Sequence, residues 1–100
     1  MSGVSSQLVM TYQVAFGRHV RQIRLRRDET QEEVAHRAGI HVTYLSGIER
    51  GVRNPSLTSI CALAAGLGVP VSHLFDFDPR ANEPRKKAGS LRRRARARSA

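Results

Sequence analysis

Residues 37–51 read RAGIHVTYLSGIERG, and the interpretation of this stretch decides the fold. Gly39 stands between two short helical patterns, where a left-handed backbone would stop the first. In the second pattern, VTYLSGIER, a helical wheel at about 100° per residue puts Leu45 and Ile48 on one side. Thr43, Ser46, Gly47 and Arg50 fall roughly opposite, so this helix has a narrow apolar side and a polar face with little to hide. Glu49 lies within about 60° of the apolar centre by the same arithmetic. A carboxylate there requires a partner, because burying it unpaired is expensive.

Upstream, Thr30 and Glu33 have the spacing of a capping box. The helix they open is QEEVAHRA, with Val34, Ala35 and Ala38 inward and Glu32 and Glu33 in the first turn, where acids suit the helix dipole. Ala35 is the small residue expected where two closely crossing helices meet. Before it, YQVAFGRHVRQIRLRR places Phe16, Val20 and Ile23 at i, i+4 and i+7, one face of a helix that ends at Asp28–Thr30. Residues 1–11 read as an N-terminal arm. Downstream, GVRNP is a turn. Ser56 caps LTSICALAAGLG, with Leu57, Ile60, Ala64 and Leu67 on one face and Gly68 as the stop. Cys61 is expected in the core as a small apolar residue. Pro70 opens a last helix, PVSHLFDF, with Val71, Leu74 and Phe75 apolar, and Pro79 ends the domain. No stretch alternates with period two, so the fold class is all-α: five short helices over residues 12–78.

Composition narrows the function. The 100-residue chain carries a net charge of +9, unevenly placed. Residues 79–100 hold nine Lys/Arg against one acid, whereas residues 1–78 hold eight Arg against seven acids. The tail, with RKK and RRRARAR, suits a polyanion and is expected to be disordered when free. One cysteine excludes an internal disulfide framework, and the N-terminus carries no secretory pattern. The apolar run ICALAAGLGVPV is too short and too interrupted to span a bilayer. His19, His36, His41 and His73 show no metal-ligand spacing with one another or with Cys61. No catalytic set converges by spacing. The expectation is a cytoplasmic protein with no metal, cofactor, enzymatic activity or membrane attachment.

From TQEEVAHRAG through YLSGIERG, NPSL and LGVPVSHLF, and upstream through FGRHVRQIR, the chain resembles the Cro/repressor-type helix-turn-helix domain of the XRE family. The resemblance covers about residues 12–77 and implies a five-helix, lambda-repressor-like bundle whose third helix enters the major groove of double-stranded DNA. By that resemblance Val42, Thr43, Ser46 and Gly47 occupy base-reading positions. Gln31, His41, Tyr44, Arg50, Arg53 and Asn54 fall near the DNA backbone, and Arg24 with Glu49 matches an internal salt bridge. This chain departs from the family pattern in three places. His41 replaces the small hydroxyl cap of the third helix, Glu29 stands where an apolar residue is common, and no Arg, Gln or Asn fills a central reading position.

One recognition helix reads too few base pairs for a unique site. The expected function is therefore a transcriptional regulator acting as a homodimer on a near-palindromic operator, with half-sites about one helical turn apart. The dimer surface is expected from Val71, Leu74, Phe75 and Phe77 or from the N-terminal arm. The alternative is a protein-interaction module, of antitoxin or polymerase-partner type, whose basic tail binds nucleic acid without sequence preference.

Overall fold

The structure, a computed structural model, describes residues 6–78. Four α-helices follow one another: α1 (Ser6–Arg26), α2 (Gln31–Ala38), α3 (Val42–Glu49) and α4 (Leu57–Leu67). A short 3-10 helix, Val71–Phe75, follows. There is no strand among the described residues. The fifth element is thus a 3-10 turn rather than an α-helix, consistent with only five residues between Pro70 and Asp76. The first helix already begins at Ser6, inside the segment read as an arm. Residues 1–5 and the basic tail from residue 79 lie outside the described residues.

Local chemistry accounts for the helix ends. The Thr30 hydroxyl accepts from the Glu33 amide at 3.0 Å, and Glu33 Oε1 accepts from the Thr30 amide at 2.8 Å, which completes the capping box. Ser56 accepts from the Ser59 amide at 3.1 Å and starts α4. Gly39 (φ +72°) and Gly68 (φ +73°) stop α2 and α4 in the left-handed region.

The core gathers Phe16, Val20 and Ile23 from α1, Val34 and Ala35 from α2, and Leu45 and Ile48 from α3. Leu63, Ala64 and Leu67 from α4 and Leu74 from the 3-10 turn complete it. Two expectations for α4 are corrected. Leu57 is 72% exposed, because the first residue after the cap projects off the helix end. The inward row is Ile60, Leu63, Ala64 and Leu67, and this rotation turns Cys61 outward, where it is exposed rather than in the core. Leu74 is fully buried in its own domain, so it offers nothing to a partner, whereas Phe75 is half exposed.

Two glycines let helices approach more closely than Ala35 would suggest. A Cβ on Gly17 of α1 would run into the Ile48 carbonyl of α3. A Cβ on Gly66 of α4 would fall 2.9 Å from Ala38 Cβ and 3.0 Å from the Val34 carbonyl oxygen of α2. These crossings seat α3 against α1 and α2 against α4, and so set the height at which α3 stands above the bundle.

Candidate nucleic-acid interface

α3 is pinned by Leu45 and Ile48, both buried, and is closed at its start by His41. The imidazole Nδ1 accepts from the Thr43 amide at 3.1 Å, so the residue that departs from the usual hydroxyl cap still caps, through a ring nitrogen that must be unprotonated to accept. At the other end, Glu49 is held under the helix. Arg24 Nε donates to Glu49 Oε2 at 2.7 Å and its second terminal nitrogen donates to Oε1 at 2.9 Å, a two-pronged pair with both side chains almost fully buried. Arg24 is shifted upward from the ordinary arginine pKa, first by this hydrogen bond and then by the charges of Glu49 and Glu32, against the opposing effect of burial. Its remaining nitrogen donates to the Glu29 carbonyl at 2.8 Å.

Gln31 joins the same cluster. Its side-chain nitrogen donates to Glu49 Oε1 at 2.9 Å, which ties the first turn of α2 to the last turn of α3 through one carboxylate. Sequence spacing implied the Arg24–Glu49 contact only through the family resemblance, and the third member was missed. Nothing in a linear reading links residues 31 and 49. The first amides of α2 have no intrahelical acceptor, and Gln31 is positioned beside them.

The expected base-reading residues do not share one environment. Thr43 is exposed and Ser46 is half-buried, with Arg50 Nε 3.4 Å from its hydroxyl. Val42 and Tyr44 are half-buried and packed against the core, so each presents only part of its side chain. Gly47 is buried, which corrects its reading as open solvent face. The turn after α3 folds back, with the Val52 and Arg53 amides donating to the Gly47 carbonyl at 2.9 and 3.2 Å, and the Arg53 side chain lies over the glycine. Arg50, Arg53 and Asn54 are exposed.

Glu29 now has a rationale. Arg37 contacts its Oε2 at 2.7 Å and Arg27 lies 3.7 Å from Oε1, so the carboxylate is neutralised where an apolar residue would simply pack. Arg37 also donates to the Gly66 carbonyl at 2.9 Å, bracing α2 against α4. Among the described residues no group of His, Cys, Asp and Glu could hold a metal ion, and no helix is long and apolar enough to cross a membrane.

A bundle that presents one short, capped helix above two glycine crossings has close parallels. The family model described as helix-turn-helix matches residues 20–74. The chain belongs to the helix-turn-helix family. Control protein C.BamHI of Bacillus amyloliquefaciens is 45% identical over 73 residues, which span 72% of this chain and 90% of that protein. The immunity repressor protein of Bacillus phage phi105 is 41% identical over 56 residues, 56% of this chain and 39% of the repressor. Among solved structures, the restriction-modification controller protein C.AhdI from Aeromonas hydrophila superposes with a TM-score of 0.60 at 35% identity, over 71% of this chain and all of C.AhdI. This helix-turn-helix family is one of DNA-binding regulators rather than of enzymes, and the chain is a DNA-binding transcriptional regulator.

Proposed function

We propose that this regulator binds a near-palindromic operator as a homodimer, each copy placing α3 in the major groove, and that it serves as a controller of a restriction–modification system. The control-protein reading is supported by the 45% identity to C.BamHI across nine-tenths of that protein, together with the likeness to C.AhdI along its whole length. The observation that carries DNA contact is the disposition of α3. Leu45 and Ile48 hold it by one side, while Thr43, Arg50 and Arg53 stay exposed.

In this reading Thr43 meets base edges, with Val42 offering methyl contact to a thymine and Ser46 a hydroxyl. Gln31, held by Glu49 beside the free amides of α2, meets a phosphate at the helix N-terminus. Tyr44, Arg50 and Asn54 lie along the backbone, and His41 stands at the start of α3 beside them. The half-exposed Phe75, with Val71 and Phe77 partly buried beside it, supplies apolar surface for the second copy. The basic segment of residues 79–100 adds phosphate contacts of its own. Such a protein works in the cytoplasm on the nucleoid, needs no cofactor and catalyses no reaction.

Selection of bound duplexes from a random pool, with native mass measured across micromolar concentrations, tests the proposal. The expected result is an inverted repeat with half-sites about one helical turn apart and a dimer as the bound species. A strict monomer that protects an inverted repeat contradicts the dimer. Ending the chain after residue 78 is expected to preserve the selected sequence while flattening the salt dependence, by about 0.9 in slope for each phosphate no longer neutralised. If all DNA binding disappears with the tail, the interaction-module reading replaces this one.

A further inference from the structure

We propose that Arg53, which lies outside the recognition helix, is its principal base-reading side chain, and that Gly47 is the seat that lets it be so. The proposal rests on the operator-binding function above and names a specificity determinant within that site.

The geometry is unusual for a mid-helix glycine. A Cβ built on Gly47 would fall 2.5 Å from Arg53 Cγ, 3.5 Å from Nε and 3.6 Å from Cβ. The Arg53 stem therefore occupies the volume that a side chain at position 47 would take. The backbone enforces this path, since the Val52 and Arg53 amides both donate to the Gly47 carbonyl and bring the turn back onto α3. Residues 43, 47 and 50 follow one another at i, i+4 and i+7, so they form one stripe of the helix. Arg53 supplies the middle of that stripe, between exposed Thr43 and exposed Arg50.

The guanidinium is free to act. Among the described residues, no hydrogen bond or ion pair engages the Arg53 side chain, whereas Arg24 and Arg37 are held by carboxylates and Arg50 leans on Ser46. The stem lies over Gly47 while the head stays unpartnered, the arrangement that suits two parallel hydrogen bonds to guanine O6 and N7. Of the other side chains on this face, Arg50 leans on Ser46 and the rest offer hydroxyls and a methyl, none of which distinguishes guanine as an unengaged arginine does. This resolves the absence of a long polar residue at the central reading positions of α3: it is delivered from the following turn.

The test is operator binding by the full chain with each base pair of the selected half-site substituted in turn. Arg53→Lys retains the charge but not the planar fork. It is expected to lose about tenfold or more in discrimination at one G·C pair per half-site, with non-specific affinity and salt slope as in the original protein. Gly47→Ala leaves Arg53 in the chain but displaces its stem. It is expected to weaken preference at the same base pair while leaving thermal stability equal or higher, since alanine favours the helix. Full preference in Arg53→Lys overturns the proposal. So does Arg53→Ala weakening every sequence equally with the salt slope reduced by about 1, the signature of a phosphate contact. If the unsubstituted protein selects no sequence at all, the operator-binding function itself fails and this inference with it, an outcome visible before any variant is made.

Discussion

Glu49→Ala is expected to destabilise the domain by about 3–5 kcal/mol, because it leaves Arg24 buried with its charge uncompensated. A domain of this size has a total stability at the low end of about 5–15 kcal/mol, so much of the variant should be unfolded near body temperature. The large effect follows from burial. The side chains of Arg24 and Glu49 are 9% and 2% exposed, and the pair is two-pronged, so the strong solvent screening that makes surface pairs nearly neutral does not apply. Exchanging both partners, Arg24→Met with Glu49→Leu, is expected to recover most of the loss, since apolar residues of similar size fill the space without a charge to desolvate. That double variant still removes the carboxylate that holds Gln31, so its DNA affinity should remain below the original even where its stability returns. Urea denaturation and operator titration of the variants separate these effects. A cost under about 1 kcal/mol for Glu49→Ala would show that the pair is not the strut described here.

The pair is also insensitive to ordinary pH on the arginine side. Arg24 has its pKa raised in the folded protein. Its contribution is therefore complete below the unfolded arginine value and is lost only as pH climbs through the higher folded value, beyond any working range.

Gly17→Ala is expected to cost about 2–3 kcal/mol despite a gain of up to about 1 kcal/mol from replacing a helical glycine. The new methyl would meet the Ile48 carbonyl and lie 3.0 Å from the Glu49 carbonyl oxygen, and both are backbone atoms of α3 that cannot rotate away. α1 and α3 must separate, which loosens Val20 and Phe16 from Ile48 and tilts the recognition helix. Thermal melting should show a lower midpoint, and the folded fraction should bind its operator more weakly. An unchanged midpoint would mean that the two helices can part at no cost. Gly47→Ala has the opposite expected sign, although both glycines lie inside helices. At Gly47 the obstructing group is the stem of an exposed arginine, which can swing aside. The physical nature of the neighbour, rather than the substitution, decides the outcome.

Much of the fold was legible along the chain because helix ends obey local rules. Thr30 with Glu33, Ser56, Gly39 and Gly68 each act within a few residues of their own position, and each does in the structure what its chemistry implies. Other features are not local. The inward face of α4 turned on whether Leu57 or Leu63 joins Ala64 and Leu67 in the core, and periodicity alone favours neither. Leu57 sits one residue past its cap with no helix across from it, so Leu63 is buried and Cys61 is carried outward. The early start of α1 at Ser6 escaped because that stretch lacks a clear apolar stripe of its own.

The candidate site divides along the same line. That Glu49 needed a partner was evident from its place near the apolar side of its helix. That the Glu49 carboxylate also holds Gln31, and that Gly47 is roofed by Arg53, depends on a turn folding back across α3 and on two helices meeting at one carboxylate.

By itself the sequence determined most of the helix ends, their caps and which face of α3 is polar, since these follow from the order of residues within a few turns, and it carried the helix-turn-helix character through its resemblance to a known family. Only the tertiary structure decided how near the helices stand and which side chain fills the middle of the reading face. Those outcomes depend on contacts between residues far apart in the chain, or across a turn whose path local propensity does not specify, and on whether the atom encountered there can move.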